Sequence, residues 1–402
     1  MTSSDRTAAD TTLSEAIAAH RAGRFEEAID GYEKVLTQRP DDPDALHFFG
    51  MLHFQFGKGI DAVRLIGRSL DLAPGNPHAW NNLGNILLMQ GKIPEAREAY
   101  RRVTVLAPDM AEAWFNLGIC FRDTGELEPS VKCLQTAIER QPTFTRAYES
   151  LGKLFYRVGY FEQAAQVYRD WLAHEPDHPV ARHMAAATAG INVPERADSV
   201  YVTNLYNRYA STFDDNLKEL GYRAPELLVA ALAGHLGSRA KSVDILDAGC
   251  GTGLCGPLLR PLAASLVGVD LSEKMLERAQ ARGGYDELAA SELCAFMQSR
   301  PQQFDVVVAA DTLEYFGSLK EVSESARGAL RKGGLYLFTV EALPEGTAEG
   351  YQLMVHGRYA HSSRYVRETL LEAGFEVLEL RSEVLRTECL QDVTGLLVVA
   401  QL

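Results

Sequence analysis

Residues 243–256 read V-D-I-L-D-A-G-C-G-T-G-L-C-G. A short apolar run closing on Ile245 and Leu246 meets an acid, Asp247, and then Gly249, Gly251 and Gly253 at every second position. The run predicts a buried strand. The glycines predict a tight turn, one that lets a ligand approach the backbone where a helix begins. A second apolar run, 266–269, ends at Asp270, 17 residues beyond Gly253. A carboxylate there can accept hydrogen bonds from both hydroxyls of a ribose. Taken alone, the turn suits more than one nucleotide. Gly251, Gly253 and Gly256 even match the dinucleotide pattern G-x-G-x-x-G, a weak signal by itself.

Outward from this turn, strands and helices alternate. Further strands are predicted over 304–309, 335–340, 375–380 and 396–400, with a short one near 285–288, and helices start near Ser272 and Ser363. Continuous apolar runs such as VVVAA and LYLFTV read as parallel strands buried on both faces. A turn rather than a helix separates the last two strands. The expectation is a three-layer α/β domain over 200–402, its sheet mostly parallel with one antiparallel edge strand. Two helices are predicted ahead of its first strand.

The first half follows a different rule. Pro40, Pro74, Pro108, Pro142 and Pro176 lie 34 residues apart, as do Gly23, Gly57, Gly91, Gly125 and Gly159. A 34-residue period is that of the tetratricopeptide (TPR) helical hairpin. The glycine ends the first helix of each hairpin, and the proline ends the second. Small residues, Gly50, Gly84, Gly118 and Gly152 against Ala28, Ala62, Ala96 and Ala164, let the paired helices approach. Five repeats over 9–177 and a linker over 178–199 are expected. "WNNLG" and "WFNLG" resemble the TPR consensus. A solenoid offers a concave face rather than a single pocket. On it Asn82 and Asn116 occupy equivalent positions 34 apart. They resemble the asparagine ladder by which some TPR superhelices grip an extended peptide. The other reading is that they satisfy local backbone groups.

Composition sets limits. The chain has 402 residues, 46% hydrophobic and 23% charged, with a net charge of −14. That charge argues against non-specific nucleic-acid binding. No apolar stretch approaches the roughly 20 residues that span a bilayer. The first residues lack the basic and apolar regions of a secretory signal. Cys120, Cys133, Cys250, Cys255, Cys294 and Cys389 show no CxxC spacing, so neither a metal site nor a disulfide framework is expected. A cytoplasmic protein without membrane segments fits these features.

Context now bears on the ligand. The glycine string is followed in order by "LVGVDLSEKMLERA", "FDVVVAADTLEYFG" and "LRKGGLYLFTVE". This order and wording resemble the class I S-adenosylmethionine-dependent methyltransferases, across roughly 200–402. With the repeats, "YASTFDDNLKELGYRAPELL" and "GRYAHSS" resemble the bacterial group of predicted methyltransferases containing TPR repeats. The resemblance implies a Rossmann-like methyltransferase domain behind a TPR α-solenoid, with S-adenosylmethionine as cofactor. It places Asp247, Gly249, Cys250, Gly251 and Gly253 along the methionine end, Asp270 on the ribose, Leu271 beside the adenine and Glu292 near its amine. Tyr209 and Phe213, in "YASTFD", would close over the ligand, and Arg223 would reach its carboxylate.

Methyl transfer from a sulfonium is an in-line displacement with an activated leaving group. A base is needed only if the acceptor must lose a proton. Candidates on the acceptor side are Asp311, Tyr315, Glu341, His356 and His361, with His361 the best base by type. Three functions compete: a methyltransferase whose repeats recruit a protein or peptide; a small-molecule methyltransferase whose repeats mediate homo-oligomerisation or complex assembly; and a scaffold that binds the donor without turnover.

Overall fold

The computed structural model describes residues 3–190, 192–239, 241–388 and 391–402. Cys389 lies outside the described residues. The chain divides into two compact units, Met1–Glu175 and Pro176–Leu402.

The first unit is a row of helical hairpins: α1 (Ser3–Arg21) with α2 (Phe25–Gln38), α3 (Pro43–Gln55) with α4 (Gly59–Leu72), α5 (Pro77–Met89) with α6 (Ile93–Leu106), α7 (Ala111–Asp123) with α8 (Leu127–Arg140), and α9 (Thr145–Arg157) with α10 (Phe161–His174). The register glycines close the first helix of each pair at φ between 73° and 80°, where a Cβ would be strained. The glycines inside the helices serve contact instead. A Cβ on Gly84 would lie 2.7 Å from the Tyr100 ring, and one on Gly152 2.5 Å from Tyr168. The register also repeats a hydrogen bond. Trp80 Nε1 donates to Pro74 O, and Trp114 Nε1 donates to Pro108 O, each at 2.8 Å. Each indole thereby satisfies a carbonyl left open where the preceding helix ends.

The second unit begins with the segment expected as a linker. Its 179–189 stretch is helix α11 (Pro179–Ala189), closed by Gly190 in the left-handed region. His183 Nε2 lies 2.7 Å from Gly357 O, and His183 stacks on Tyr201 at 4.3 Å, so this helix packs within the second unit. Then come α12 (Ser199–Tyr209), α13 (Phe213–Glu219) and α14 (Ala224–Leu236).

The sheet follows: β1 (Val243–Ala248), β2 (Ala263–Asp270), β3 (Glu287–Ala290), β4 (Phe304–Ala309), β5 (Leu330–Ala342), β6 (Tyr351–Leu353), β7 (Tyr359–His361), β8 (Glu376–Glu388) and β9 (Gln391–Gln401). The interposed helices are α15 (Gly256–Leu259), α16 (Glu273–Arg282), α17 (Leu293–Gln298), α18 (Lys320–Ala329) and α19 (Ser363–Glu372). Strands β3-β2-β1-β4-β5 are parallel neighbours in that order. β9 runs antiparallel to β5, and β8 pairs antiparallel with β9 on its outer side. Among the described strands β9 and, beyond β7, β6 therefore run against the parallel set, with β8 at the edge next to β9. A hairpin without a sequence signal, β6–β7, joins β5 at Glu341 and Ala342.

Alternation along the strands divides the core between two faces. Ile245, Val306 and Val308 pack with Leu228 and Leu232 of α14. Leu246, Val307 and Ala309 face Phe296, Met297, Val322 and Val366. Strand order reverses between β1 and β4. Such a switch point opens a crevice at the carboxyl ends of the strands, where ligands of open α/β sheets bind. The glycine turn and Asp311 both lie at that edge.

Candidate functional site

The glycine turn is held from both sides. Gly249 and Cys250 donate their backbone N–H groups to Val269 O at 2.8 and 2.9 Å. Gly249, Gly251 and Gly253 all have positive φ. A Cβ on Gly249 would lie 2.2 Å from Thr312 Oγ1, whose hydroxyl donates to Ala248 O. At Gly251 only Phe213 comes within reach, 4.0 Å away. Asp270, at the end of β2, accepts from Gly251 N at 2.9 Å and from Ser272 N at 2.8 Å. Burial raises its pKa, while these N–H groups oppose the rise.

Gly256 explains why the dinucleotide pattern matches. A Cβ there would lie 2.7 Å from the Tyr285 ring. The third glycine makes room for Tyr285, and α15 behind it is only 4 residues long. Tyr285 donates its hydroxyl to Asp247 Oδ2 at 2.6 Å. Burial pushes the Asp247 carboxyl up to about 7, against this bond.

Helices α12 and α13 cover the turn. Phe213 packs edge-on against Tyr206, with centroids 5.7 Å apart. Tyr206 donates to the Tyr315 hydroxyl at 3.0 Å. Tyr206 thus packs within the cover through Phe213 and Tyr315. Tyr209 ends α12, where the chain turns away, and is 39% exposed. Asp214 latches the cover to the turn: it accepts from Thr252 Oγ1 and from Arg282 Nη2, both at 2.5 Å. Tyr206 carried no sequence signal of its own, and Asp214 closes the quoted string YASTFD without having been singled out.

Other expected residues are placed differently. Glu292 caps α17, with Oε2 accepting from Ala295 N at 2.8 Å and Oε1 paired with Arg196 at 3.2 Å. Each of its oxygens thus has one partner within the chain. Leu271 is half-buried beside Asp270, and Cys250 is buried. Arg223 has an exposed side chain, while its backbone N–H donates to Leu385 O. In the repeats, Asn82 Nδ2 lies 2.9 Å from His47 Nε2, and Asn116 Nδ2 donates to Asn85 Oδ1 at 3.3 Å. Asn116 is buried, so the two equivalent positions hold unlike, locally paired amides.

His361 corrects the expectation of a base. Its side chain is fully buried. Nε2 donates to Phe316 O at 2.9 Å and also lies 3.1 Å from Gly317 O. The ring braces the chain after β4 and offers no surface to an acceptor. Burial lowers its pKa to about 4. The folded chain therefore keeps the ring neutral where an unfolded chain, with a pKa near 6.5, takes a proton. Stability from this residue is complete above pH 6.5 and is lost as pH falls toward 4. His361→Gln is expected to flatten that acid limb in denaturation curves between pH 7 and 4, with ligand affinity at the glycine turn unchanged. A stability difference that does not vary with pH would contradict the assignment.

The carboxyl ends of β4, β5 and β8 meet in a cluster of charges. Arg386 donates to Asp311 Oδ2 and to Glu388 Oε1, each at 2.7 Å, and also to Glu341. Arg358 donates to Glu341 Oε1 at 2.6 Å and to Glu388 Oε1 at 2.8 Å. Asp311 has φ 50° and accepts from Thr339 Oγ1 at 2.6 Å. His356 Nε2 lies 3.2 Å from Glu341 Oε2. Burial works to raise the Glu341 pKa, but His356 and the two guanidiniums outweigh it and hold the carboxyl well below the usual range. Of the expected acceptor-side residues, Asp311, Tyr315, Glu341 and His356 come together here. Glu314 and Arg358 join them from the quoted segments FDVVVAADTLEYFG and GRYAHSS, where neither was singled out, and Arg386 joins from a segment that sequence reading passed over. Among the described residues, no group of three or more histidine, cysteine or acidic side chains could hold a metal.

Comparison with known proteins gives this geometry its class. A family model described as "Methyltransferase domain" matches residues 246–338, from the end of β1 to β5. Models described as "Tetratricopeptide repeat" match 49–109, 83–130 and 147–180. The chain joins tetratricopeptide repeats to a class I methyltransferase domain. Domains of this class take their methyl group from S-adenosylmethionine. The second unit is similar to methyltransferase-like protein 27 of Homo sapiens, 35% identical over 144 residues, covering 35% of this chain and 58% of that one. It is similar to the mitochondrial ubiquinone biosynthesis O-methyltransferase of Mus musculus, 27% identical over 143 residues, covering 34% and 39%. It is also similar to the malonyl-[acyl-carrier protein] O-methyltransferase of Pseudescherichia vulneris, 28% identical over 173 residues, covering 42% and 65%. The chain thus spans roughly two fifths to two thirds of the length of these relatives. Among the described residues no helix is long and apolar enough to cross a membrane.

Proposed function

We propose that the chain is a cytoplasmic S-adenosylmethionine-dependent methyltransferase whose repeat array recruits the protein or peptide that is methylated. The observation that carries this reading is the Asp270 carboxylate tied to Gly251 N beside a positive-φ glycine turn at the switch point of the sheet. That cradle suits a ribose and an extended amino-acid chain. Asp270 would hold the ribose, Asp247 and the glycine backbone would line the methionine end, and Leu271 would flank the adenine. When bound, the donor supplies a methyl group on a sulfonium, already activated for displacement. Phe213 and Tyr206 exclude water from above the turn, and Thr312 fixes its far wall. The rest of the work is alignment, a contribution of up to roughly 7–11 kcal/mol in favourable cases.

Recruitment is supported by the repeats themselves, since a solenoid presents an extended concave face. Asn82 and Asn116, each with one amide contact inside the array, would present their remaining amide groups to that peptide. The relatives' names span ubiquinone biosynthesis and malonyl-[acyl-carrier protein], so they fix no acceptor. Incubation with tritiated S-adenosylmethionine and a cell lysate tests the proposal. Counts are expected in the protein fraction. Counts in small molecules would refute recruitment of a protein substrate, and counts in neither would refute turnover.

A further inference from the structure

Tyr285 fills a slot that three glycines leave open. It stands between α16 and β3. A Cβ on Gly253 would lie 3.1 Å from its ring, one on Gly256 2.7 Å and one on Gly268 3.0 Å. These glycines come from three places: the turn after β1, the start of α15, and β2. The next residue pins the segment. Asp286 N donates to Leu266 O at 2.8 Å, and Asp286 Oδ2 accepts from Leu266 N and from Arg260 Nη1, each at 2.7 Å. The ring is thus fixed against the glycine turn. Its hydroxyl is aimed at one atom, Asp247 Oδ2, 2.6 Å away.

Asp247 is 1% exposed. Among the described residues its carboxylate accepts no hydrogen bond besides this one, so Oδ1 is left without a donor. Tyr285, Asp270, Cys250 and Cys255 are the titratable groups that face it, and none of them is a cation. Burial raises the Asp247 pKa to about 7; Tyr285 opposes the rise and Asp270 adds to it. Burial, with Asp247 close by, also raises the pKa of the phenol. Tyr285 therefore keeps its proton and remains the donor. One oxygen of a buried acid is held, and the other lacks a partner.

We propose that Tyr285 is a positioning residue for donor binding: its hydroxyl fixes the Asp247 carboxylate so that Oδ1 receives the ammonium of the ligand's amino-acid end. This rests on the methyltransferase reading and deepens it at the same site. An ammonium supplies the cation that the surroundings of Asp247 lack. It replaces the proton that Asp247 carries below about pH 7, and that proton leaves to solvent. Affinity for such a ligand therefore rises with pH and levels off above about 7. Without the Tyr285 hydroxyl the charged carboxylate loses its donor, its pKa rises, and the levelling moves to higher pH.

Titration calorimetry of the whole chain between pH 6 and 8.5 tests this. The ligands are S-adenosylhomocysteine, which carries the ammonium, and 5′-methylthioadenosine, which lacks it. Titration of Asp270 at the ribose would act on both ligands, so the difference between the two profiles isolates Asp247. Tyr285→Phe keeps the ring in its slot. It is expected to move the S-adenosylhomocysteine profile up by about one pH unit, a loss approaching about tenfold at pH 6, and to leave 5′-methylthioadenosine affinity unchanged. In Asp247→Asn the pH dependence peculiar to S-adenosylhomocysteine should vanish, and adding Tyr285→Phe should cost nothing more. A profile that stays in place would overturn the proposal. So would an equal loss for both ligands, or a loss from Tyr285→Phe that is undiminished in the Asp247→Asn chain; each is the mark of a ring that only packs. A parent chain that binds no S-adenosylhomocysteine would overturn the methyltransferase reading and this proposal with it, whereas binding with an unmoved profile overturns this proposal alone.

Discussion

Asp270→Ala is expected to weaken S-adenosylmethionine binding by about a hundredfold while the second unit stays folded. The carboxylate does two things. It accepts from Gly251 N and Ser272 N, which fixes the turn, and it stands where the ribose hydroxyls would donate. Hydrogen bonds to a charged group contribute roughly 1.5–3 kcal/mol each, and two lost to the ligand correspond to about a hundredfold or more. Asp270→Asn retains the shape and one acceptor, so it should fall between. Titration calorimetry measures both, and far-ultraviolet circular dichroism confirms the fold. Affinity within threefold of the parent chain in Asp270→Ala would remove the ribose assignment.

Arg386→Met should destabilise the second unit by about 3–5 kcal/mol at pH 7.5, the cost of breaking a buried ion network by removing one partner. Arg386 is 4% exposed and binds Asp311, Glu341 and Glu388 at once. Its loss leaves buried carboxylates short of compensation. For a unit of this size such a cost lowers the melting temperature by roughly ten degrees. The sign of the pH dependence follows. With the guanidinium gone, the carboxylate pKa values rise, so the variant recovers by taking up protons as pH falls. Melts at pH 7.5 and 5.5 should show the gap to the parent chain narrowing on the acid side. The double variant Arg386→Met with Glu341→Gln should recover part of the loss. An equal gap at both pH values would show that the network contributes through packing rather than charge.

The repeats were legible because their period is written in residues with one physical job each: a glycine at positive φ, a proline that ends a helix, a tryptophan that reaches the proline carbonyl. The central strands were legible because burial on both faces makes them unbroken apolar runs. What sequence could not show is side-chain convergence. Glu314, Arg358 and Arg386 stand on three segments of the chain, and nothing local marks them as neighbours. The β6–β7 hairpin has 3-residue strands, too short for any period. His361 looked like a base by type, yet tertiary burial makes it a brace. Glu292 also caps α17 and pairs with Arg196, a use that needs a distant segment to be seen. Asn82 and Asn116 share a register but not a partner, because His47 stands beside only the first of them.

The central claim is that the glycine turn and Asp270 hold S-adenosylmethionine rather than a dinucleotide. Titration calorimetry of the whole chain with each ligand tests it most directly. The account predicts one S-adenosylmethionine bound per chain, with no detectable heat from NADH. Tight NADH binding in the absence of S-adenosylmethionine binding would contradict it.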